Sequence, residues 1–496
     1  MFVVGFDYDK YLKLQSEKIL ERIGMFENKL YLEFGGKLFD DQHAARVLPG
    51  YMPDTKVQLL KTLADKAEII IVIKASHIDS NKAVGDTNIY YDDQVLRMVD
   101  DLRSEGLFVG SVVISHYHGQ TAADNFKKYL ESLGITVYVI HYIPDKDYPS
   151  NISLILSPEG YGKNEYIKTA RPLVVLTAPG PGSGKLTTCL SQLYHECQLG
   201  VKAGYAKFET FPVWNRPLKD TINLAYESAT ADIEDVIMID PYHIEAYSVP
   251  AVSYNRDIDG FPLLNATLTR NWGENPYKSP TDMGVNMVGE CILSSDVCTE
   301  AARQEIIRRY FNVKCDHARG TATESEVSKL DLIMESAGLS PCDRPPVVPA
   351  LEKAAITDGP CVAIVLSDGA VITGKTSDLL GASSAALLNA LKHFAGLDED
   401  DLLISPKVIE PIQRLKVGHL GNKNARLHTD EVLLALSVSS SDKPHAELAL
   451  NQLGKLKNAQ AHSTVILSQV DIKVFRHLGV NITCEPIYQN KQLFRR

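Results

Sequence analysis

A chain of 496 residues that is 45% hydrophobic and 23% charged is long enough for three or four domains and has the balance of an ordinary globular protein. Its net charge of −11 argues against broad, sequence-independent binding to nucleic acid. No apolar run reaches the length of a membrane span, no signal-peptide core follows the acidic start at Asp7 and Asp9, and the eight scattered cysteines form no CxxC pair; a cytosolic protein without a disulfide framework or structural zinc is expected.

Along the first part of the chain, strand-like and helix-like stretches alternate. An amphipathic helix is predicted over residues 11–22 and a strand over 29–34, which runs into Glu33-Phe34-Gly35-Gly36-Lys37. Helices follow at 55–66, 91–105 and 122–133, and strands at 67–74, 109–115 and 136–142. The run Ala67-Glu68-Ile69-Ile70-Ile71-Val72-Ile73-Lys74 is apolar on both faces, the mark of a strand inside a parallel sheet. This rhythm predicts an α/β fold with a doubly wound, mainly parallel sheet, whose functional loops lie at the carboxyl ends of the strands. His116, His118 and His141 fall on such ends; without a third metal ligand in view they read as loop histidines.

The chain's most distinctive stretch is residues 171–189. Leu173-Val174-Val175-Leu176 reads as a buried strand, Gly180-Pro181-Gly182-Ser183-Gly184-Lys185 as a glycine loop, and residues 186–196 as a helix. Strand, glycine loop and helix form a phosphate cradle: glycines let backbone N–H groups converge, the helix N-terminus adds positive potential, and a lysine adds a full charge. Two positions depart from the P-loop pattern. Pro179 stands where the first glycine belongs, and Leu186 follows the lysine where a magnesium-binding hydroxyl is usual, with Thr187 and Thr188 displaced beyond it. The alternative is a tight turn whose lysine is merely solvated. On the phosphate reading, Gly180, Gly182, Ser183, Gly184, Lys185 and Thr187 bind the ligand.

Downstream, Lys207 and Glu209 are two apart on an extended segment, so they share a face and can meet the same ligand. Val236-Ile237-Met238-Ile239-Asp240 resembles a Walker B strand, in which Asp240 would hold Mg2+ or act as a base; Pro241 stands where a catalytic glutamate often follows. Arg256 and Lys278 are candidates to neutralise charge developing in a reaction, while Thr281 and Asp282 serve either a ligand or a helix cap. Helices are predicted at 296–311 and 324–336, then a proline-rich linker at 340–349. Two apolar runs around Asp368-Gly369 predict a hairpin, residues 383–395 and 446–457 helices, and 432–438 and 464–467 strands, together a C-terminal α/β sandwich of mixed sheet. Lys423, Arg426, His428 and Asp430 form a polar loop suited to a ligand or partner subunit. The domain reading is 1–168, 169–293 as a continuation of the α/β core, 294–345 as a helical segment with linker, and 346–496.

Glu33-Phe34-Gly35-Gly36-Lys37, Gly160-Tyr161-Gly162-Lys163-Asn164-Glu165-Tyr166-Ile167, the glycine loop, residues 207–214 and residues 279–287 together resemble one bacterial family, the uncharacterised "domain of unknown function 1846" group, also called uncharacterised protein family 0371. The resemblance covers nearly the whole chain. It implies a cytosolic, multidomain α/β protein and supplies no catalytic residue list. Some similar sequences carry the label of an ATP-dependent zinc protease, which no H-E-x-x-H supports here. The residues themselves point to a protein that binds a phosphorylated small molecule or nucleotide, with Mg2+ as the metal, and that catalyses phosphoryl transfer or hydrolysis. The alternative is a non-catalytic sensor or assembly protein. A homo-oligomer is expected, with neither nucleic acid nor membrane as partner.

Overall fold

The structure, a computed structural model, describes residues 4–27, 29–84, 89–233 and 235–489. It divides into two compact units, one up to residue 302 and one from residue 303 onward. Among the described residues no helix is long and apolar enough to cross a membrane.

The first unit is built on a seven-stranded sheet. Its strands are β1 Leu30–Phe34, β2 Ala67–Lys74, β3 Val109–Tyr117, β4 Val137–His141, β5 Leu173–Thr177, β6 Gly204–Phe208 and β7 Gly284–Val285. They lie in the order β7-β6-β1-β5-β2-β3-β4 and every neighbouring pair is parallel. Seven of the eight residues of β2 and all five of β5 are buried, as strands covered on both faces require. The chain leaves β1 in one direction along the sheet, towards β2, and leaves β5 in the other, towards β6. Crossovers of one hand then put the two connections on opposite faces. The adjacent carboxyl ends of β1 and β5 therefore flank a topological switch point, where open α/β sheets form their binding crevice.

Close packing at the opposite, amino end of β6 makes one position unforgiving. A Cβ on Gly204 would sit 1.9 Å from Cγ of Phe26. Phe26 is buried edge-on to both Trp272 and Tyr277, so its ring has nowhere to go. Gly204→Ala is expected to cost about 3 kcal/mol or more, read as a lowered urea midpoint or loss of folded protein on expression.

The second unit carries a four-stranded mixed sheet. Strands β8 Cys361–Val365 and β9 Val371–Lys375 are the hairpin expected around Asp368-Gly369, with Gly369 at φ 84°. Strand β10 Gln460–Ser463 pairs antiparallel with β8 and parallel with β11 Asn481–Cys484. The strands expected at 432–438 and 464–467 are not there. Residues Thr429–Ser439 form a helix that buries Val432, Ala435, Leu436 and Ser439, a helical spacing, and a box between His428 and Glu431 caps it. The strand actually used, β10, is Gln-Ala-His-Ser, too polar to stand out although three of its four residues are buried. The helix expected at 446–457 is two pieces, Pro444–Leu450 and the 3-10 turn Leu453–Leu456.

Candidate functional site

The loop after β5 has a conformation that only its glycines permit. Gly182 and Gly184 have φ of 69° and 83°, in the left-handed region. A Cβ on Gly180 would lie 2.1 Å from the Tyr91 hydroxyl, and one on Gly184 would lie 2.7 Å from Ser115 Oγ. Ser183 Oγ donates to the Gly180 carbonyl (2.7 Å), and Ser115 Oγ donates to the Ser183 carbonyl (2.6 Å), which pins the loop from within and from β3. Gly184 is then the N-cap of the helix Lys185–Gln198, and no side chain caps it. The first-turn N–H groups of a helix have no partner inside it, so this end carries uncompensated positive potential at the switch point.

Leu186 has a structural reason to replace the usual hydroxyl. Its Cδ2 lies 3.5 Å from where a Cβ would sit on Gly260, in the helix Asn255–Trp272. At the far ends of the same two helices, Cys197 Sγ donates to the Arg270 carbonyl (3.7 Å). The two helices thus run side by side in parallel, and the residue after the lysine is spent on their contact.

Charged groups from three strand ends and the second helix converge beside the loop. Glu33 on β1 is in register with both Lys207 on β6 and Leu176 on β5, and it accepts from the Tyr205 hydroxyl (2.9 Å). Lys207, only 5% exposed, lies 2.9 Å from Glu209 Oε1, pairs with Asp257 more closely still, and sits over the Tyr254 ring. Arg256 pairs with Asp235 at 2.8 Å. Burial opposes the charge on Lys207, but Asp257 and Glu209 outweigh it and raise the amine's pKa. Burial, reinforced by Asp257 and only partly offset by Lys207, pushes the Glu209 carboxyl up to about 7. Lys185 is shifted the other way: burial lowers its pKa, Arg256 and Lys207 lower it further, and Glu33 resists. Among the described residues no carboxylate forms an ion pair with Lys185. The Tyr148 hydroxyl is buried beside those of Thr187 and Tyr161 and near Glu33.

The structure thus brings Gly180, Gly182, Ser183, Gly184, Lys185, Thr187, Lys207, Glu209 and Arg256 to one end of one sheet. It separates two other candidates from them. Residues Ile237–Ile239, before Asp240, pair antiparallel with Val252–Tyr254 in a two-stranded ribbon outside the parallel sheet, so they are not a Walker B strand. Asp240 itself is 0% exposed and caps the helix Pro241–Tyr247. One oxygen accepts from the His243 N–H (3.1 Å), the other from the N–H and hydroxyl of Thr281 (3.0 and 2.6 Å). With both oxygens engaged by the protein, Asp240 does not fit a magnesium ligand, and the described residues hold no cluster of three metal-ligating side chains. Asp240→Ala is expected to cost about 2–3 kcal/mol through the lost cap and buried hydrogen bonds, seen as a lower thermal midpoint with sulfate binding unchanged. Lys278 lines a different cavity, of about 700 Å³, with Tyr242, Glu245 and Phe261. Asp282 belongs to the Ser279 capping box, and Thr281 serves Asp240.

The second glycine turn is already filled. The amine of Lys56, not of Lys37, donates to the Gly35 carbonyl (2.9 Å) and pairs with Asp41 (2.9 Å). Residues that sequence reasoning had not placed in the site include Glu33, Asp257 and Tyr148. Glu33 belongs to a stretch already singled out and Asp257 follows Arg256 directly, but nothing local marks Tyr148. His116 is a further one. It sits at φ 52° with its ring against Gly184, and burial, then Lys74, holds its pKa down to about 4, so the imidazole is neutral.

Comparison with known proteins agrees along the whole chain. Residues 4–338 match the family model "Domain of unknown function DUF1846, N-terminal", and residues 342–494 match "Domain of unknown function DUF1846, C-terminal". A UPF0371 protein of Streptococcus uberis is 53% identical over 493 residues, which is 99% of each chain. One from Streptococcus pyogenes serotype M5 is 53% identical over 496 residues, 100% of each, and one from Streptococcus equi subsp. equi is 53% identical over 492, 99% of each. With both family models matched and full-length relatives at this identity, the chain belongs to the DUF1846 (UPF0371) family.

Proposed function

We propose that the crevice at the carboxyl ends of β1, β5 and β6 binds a phosphorylated small molecule or nucleotide, with a phosphate seated on the first turn of Lys185–Gln198. One observation carries this reading: an uncapped helix N-terminus, entered through two left-handed glycines, presents a lysine with no carboxylate in an ion pair with it, at the sheet's switch point. An anion there relieves the mutual repulsion of Lys185, Lys207 and Arg256 and gives the first-turn N–H groups an acceptor. Phosphoryl transfer or hydrolysis is the chemistry such a site supports, with Glu209, poised near neutrality, as the base.

A second reading, binding without turnover, is favoured by the engagement of Leu186 with the neighbouring helix and of Asp240 with Thr281, which removes two usual magnesium positions. A panel of nucleotides and sugar phosphates separates the two. Thermal stabilisation followed by phosphate release supports the enzyme, and stabilisation alone supports the sensor. No stabilisation by any member would leave the glycine loop as a turn.

A further inference from the structure

A bulge in β3 turns one histidine onto the glycine loop. The pairing of β3 with β4 slips between Ile114 and Tyr117, and His116, inside that slip, takes φ 52°. Bulges re-aim side chains, and a non-glycine residue in the left-handed region is held there only by its surroundings. The edge of the imidazole is pressed against the N-cap of the glycine-loop helix: Cε1 and Nδ1 would lie 2.8 and 2.9 Å from a Cβ on Gly184.

The hydrogen bonds fix which ring nitrogen carries the proton. Ser115 Oγ donates its one hydrogen to the Ser183 carbonyl (2.6 Å). The same oxygen lies 3.1 Å from His116 Nδ1, so it accepts there, and Nδ1 is the protonated nitrogen. Nε2 is left with a bare lone pair. One bond from Cε1, it stands at the start of the helix, where among the described residues nothing donates to it and solvent reaches it.

Lys74 helps to keep that lone pair bare. It is in register with Ser115, so both side chains leave the sheet on the face that meets the glycine loop. Half-buried Lys74 has no carboxylate paired with it among the described residues. Burial and Lys74 hold His116 neutral against the pull of Asp145. The remaining groups that face the ring are His77, kept neutral by burial and then by Lys82 and Lys74, and the ring of Tyr142.

We propose that His116 selects the anion seated on the glycine loop: Nε2 accepts a hydrogen bond from a ligand oxygen that carries a proton, so the site takes a phosphate or phosphomonoester bearing an O–H in preference to sulfate or a phosphodiester. This inference rests on the glycine-loop reading above and names the substrate class of that site. Charge alone works the other way, because near pH 6 sulfate carries two charges and inorganic phosphate mostly one. A bare sulfate oxygen set against the Nε2 lone pair is repelled and leaves a covered acceptor unpaired. A protonated phosphate oxygen donates to it.

Titration calorimetry on the full chain at pH 6 tests this with inorganic phosphate, arsenate, sulfate and dimethyl phosphate. At that pH Glu209 is mainly in its acid form and offers the same donor to each anion. Phosphate and arsenate are expected to bind about ten-fold more tightly than sulfate, which has their shape, and than dimethyl phosphate, which has the single charge without the O–H. His116→Asn suits a positive φ but is too short to reach the anion. It should bring the four affinities within about two-fold of one another. Because the substitution sits against Gly184, nitrogen NMR of the imidazoles in the unaltered protein is read beside it. His116 should show a protonated Nδ1 and a bare Nε2, and Nε2 should shift on adding phosphate but not sulfate. A proton on Nε2, or phosphate and sulfate binding the parent alike, overturns the selection and leaves the glycine-loop reading intact. Failure of every anion to bind overturns both.

Discussion

Lys185→Ala is expected to abolish measurable binding of phosphate-type anions while the protein folds at least as well as before. The amine leaves the first residue of an uncapped helix, so a bound anion meets its charge and the helix dipole together in a partly desolvated crevice. Loss of one partner from such a charge-assisted contact costs about 2–5 kcal/mol, or some thirty-fold to several thousand-fold in affinity. Stability should move the other way. Burial, Arg256 and Lys207 all disfavour the charged amine in the folded state and Glu33 offsets them only in part, so its removal relieves an electrostatic cost. The contrast with Lys37→Ala is the control. Lys37 is exposed, and its glycine turn is already served by Lys56. Calorimetry with phosphate and thermal melts of the two variants check this; equal phosphate affinity in Lys185→Ala and the parent would reduce the loop to a turn.

Glu209→Gln is expected to change the pH dependence of both stability and anion binding. In the folded protein burial, with Asp257, raises this carboxyl to about 7 from its ordinary 4.5. Between those values the folded state holds a proton that the unfolded state has released. Stability from this group is therefore complete below pH 4.5 and is lost as pH rises to about 7, a span of roughly 3 kcal/mol. The amide cannot ionise, so Glu209→Gln should match the parent at pH 5 and exceed it at pH 8. The groups facing Glu209 across the crevice are Lys207, Asp257 and Glu33, and the variant leaves all three in place. Sulfate, whose charge is constant over this range, should bind the parent about ten-fold more weakly at pH 8 than at pH 6, as Glu209 ionises. Glu209→Gln should bind it almost evenly at both. A parent whose melting and sulfate curves are flat across pH 6–8 contradicts the assignment.

Much of the first unit was legible because its signals are local. An unbroken β-branched run such as Ile69-Ile70-Ile71-Val72-Ile73 favours a buried strand, and the glycine loop between strand and helix around Gly180–Lys185 follows from turn chemistry. The sequence order of Lys207 and Glu209 also sufficed to put them on one face. The Asp240 position was misread because Ile-Met-Ile-Asp looks the same in a central parallel strand and in a two-stranded ribbon. The partner, Val252–Tyr254, decides which it is. Likewise Val432-Leu433-Leu434-Ala435-Leu436 is apolar enough for either a strand or a helix, and burial on one helical face resolved it. The polar β10 is a strand only because β8 and β11 supply its hydrogen bonds.

The sequence by itself determined the α/β class, the glycine loop with its lysine, and the family. Each depends on residues adjacent along the chain, whose φ/ψ preferences and periodicity act locally. Only the tertiary structure decided that Leu186 packs on Gly260, that Asp240 is a cap, that two helices run side by side, and that Glu209 is poised near neutrality. Helix contacts, strand partners and ionisation depend on groups tens of residues apart in the chain, brought together only when the core excludes water.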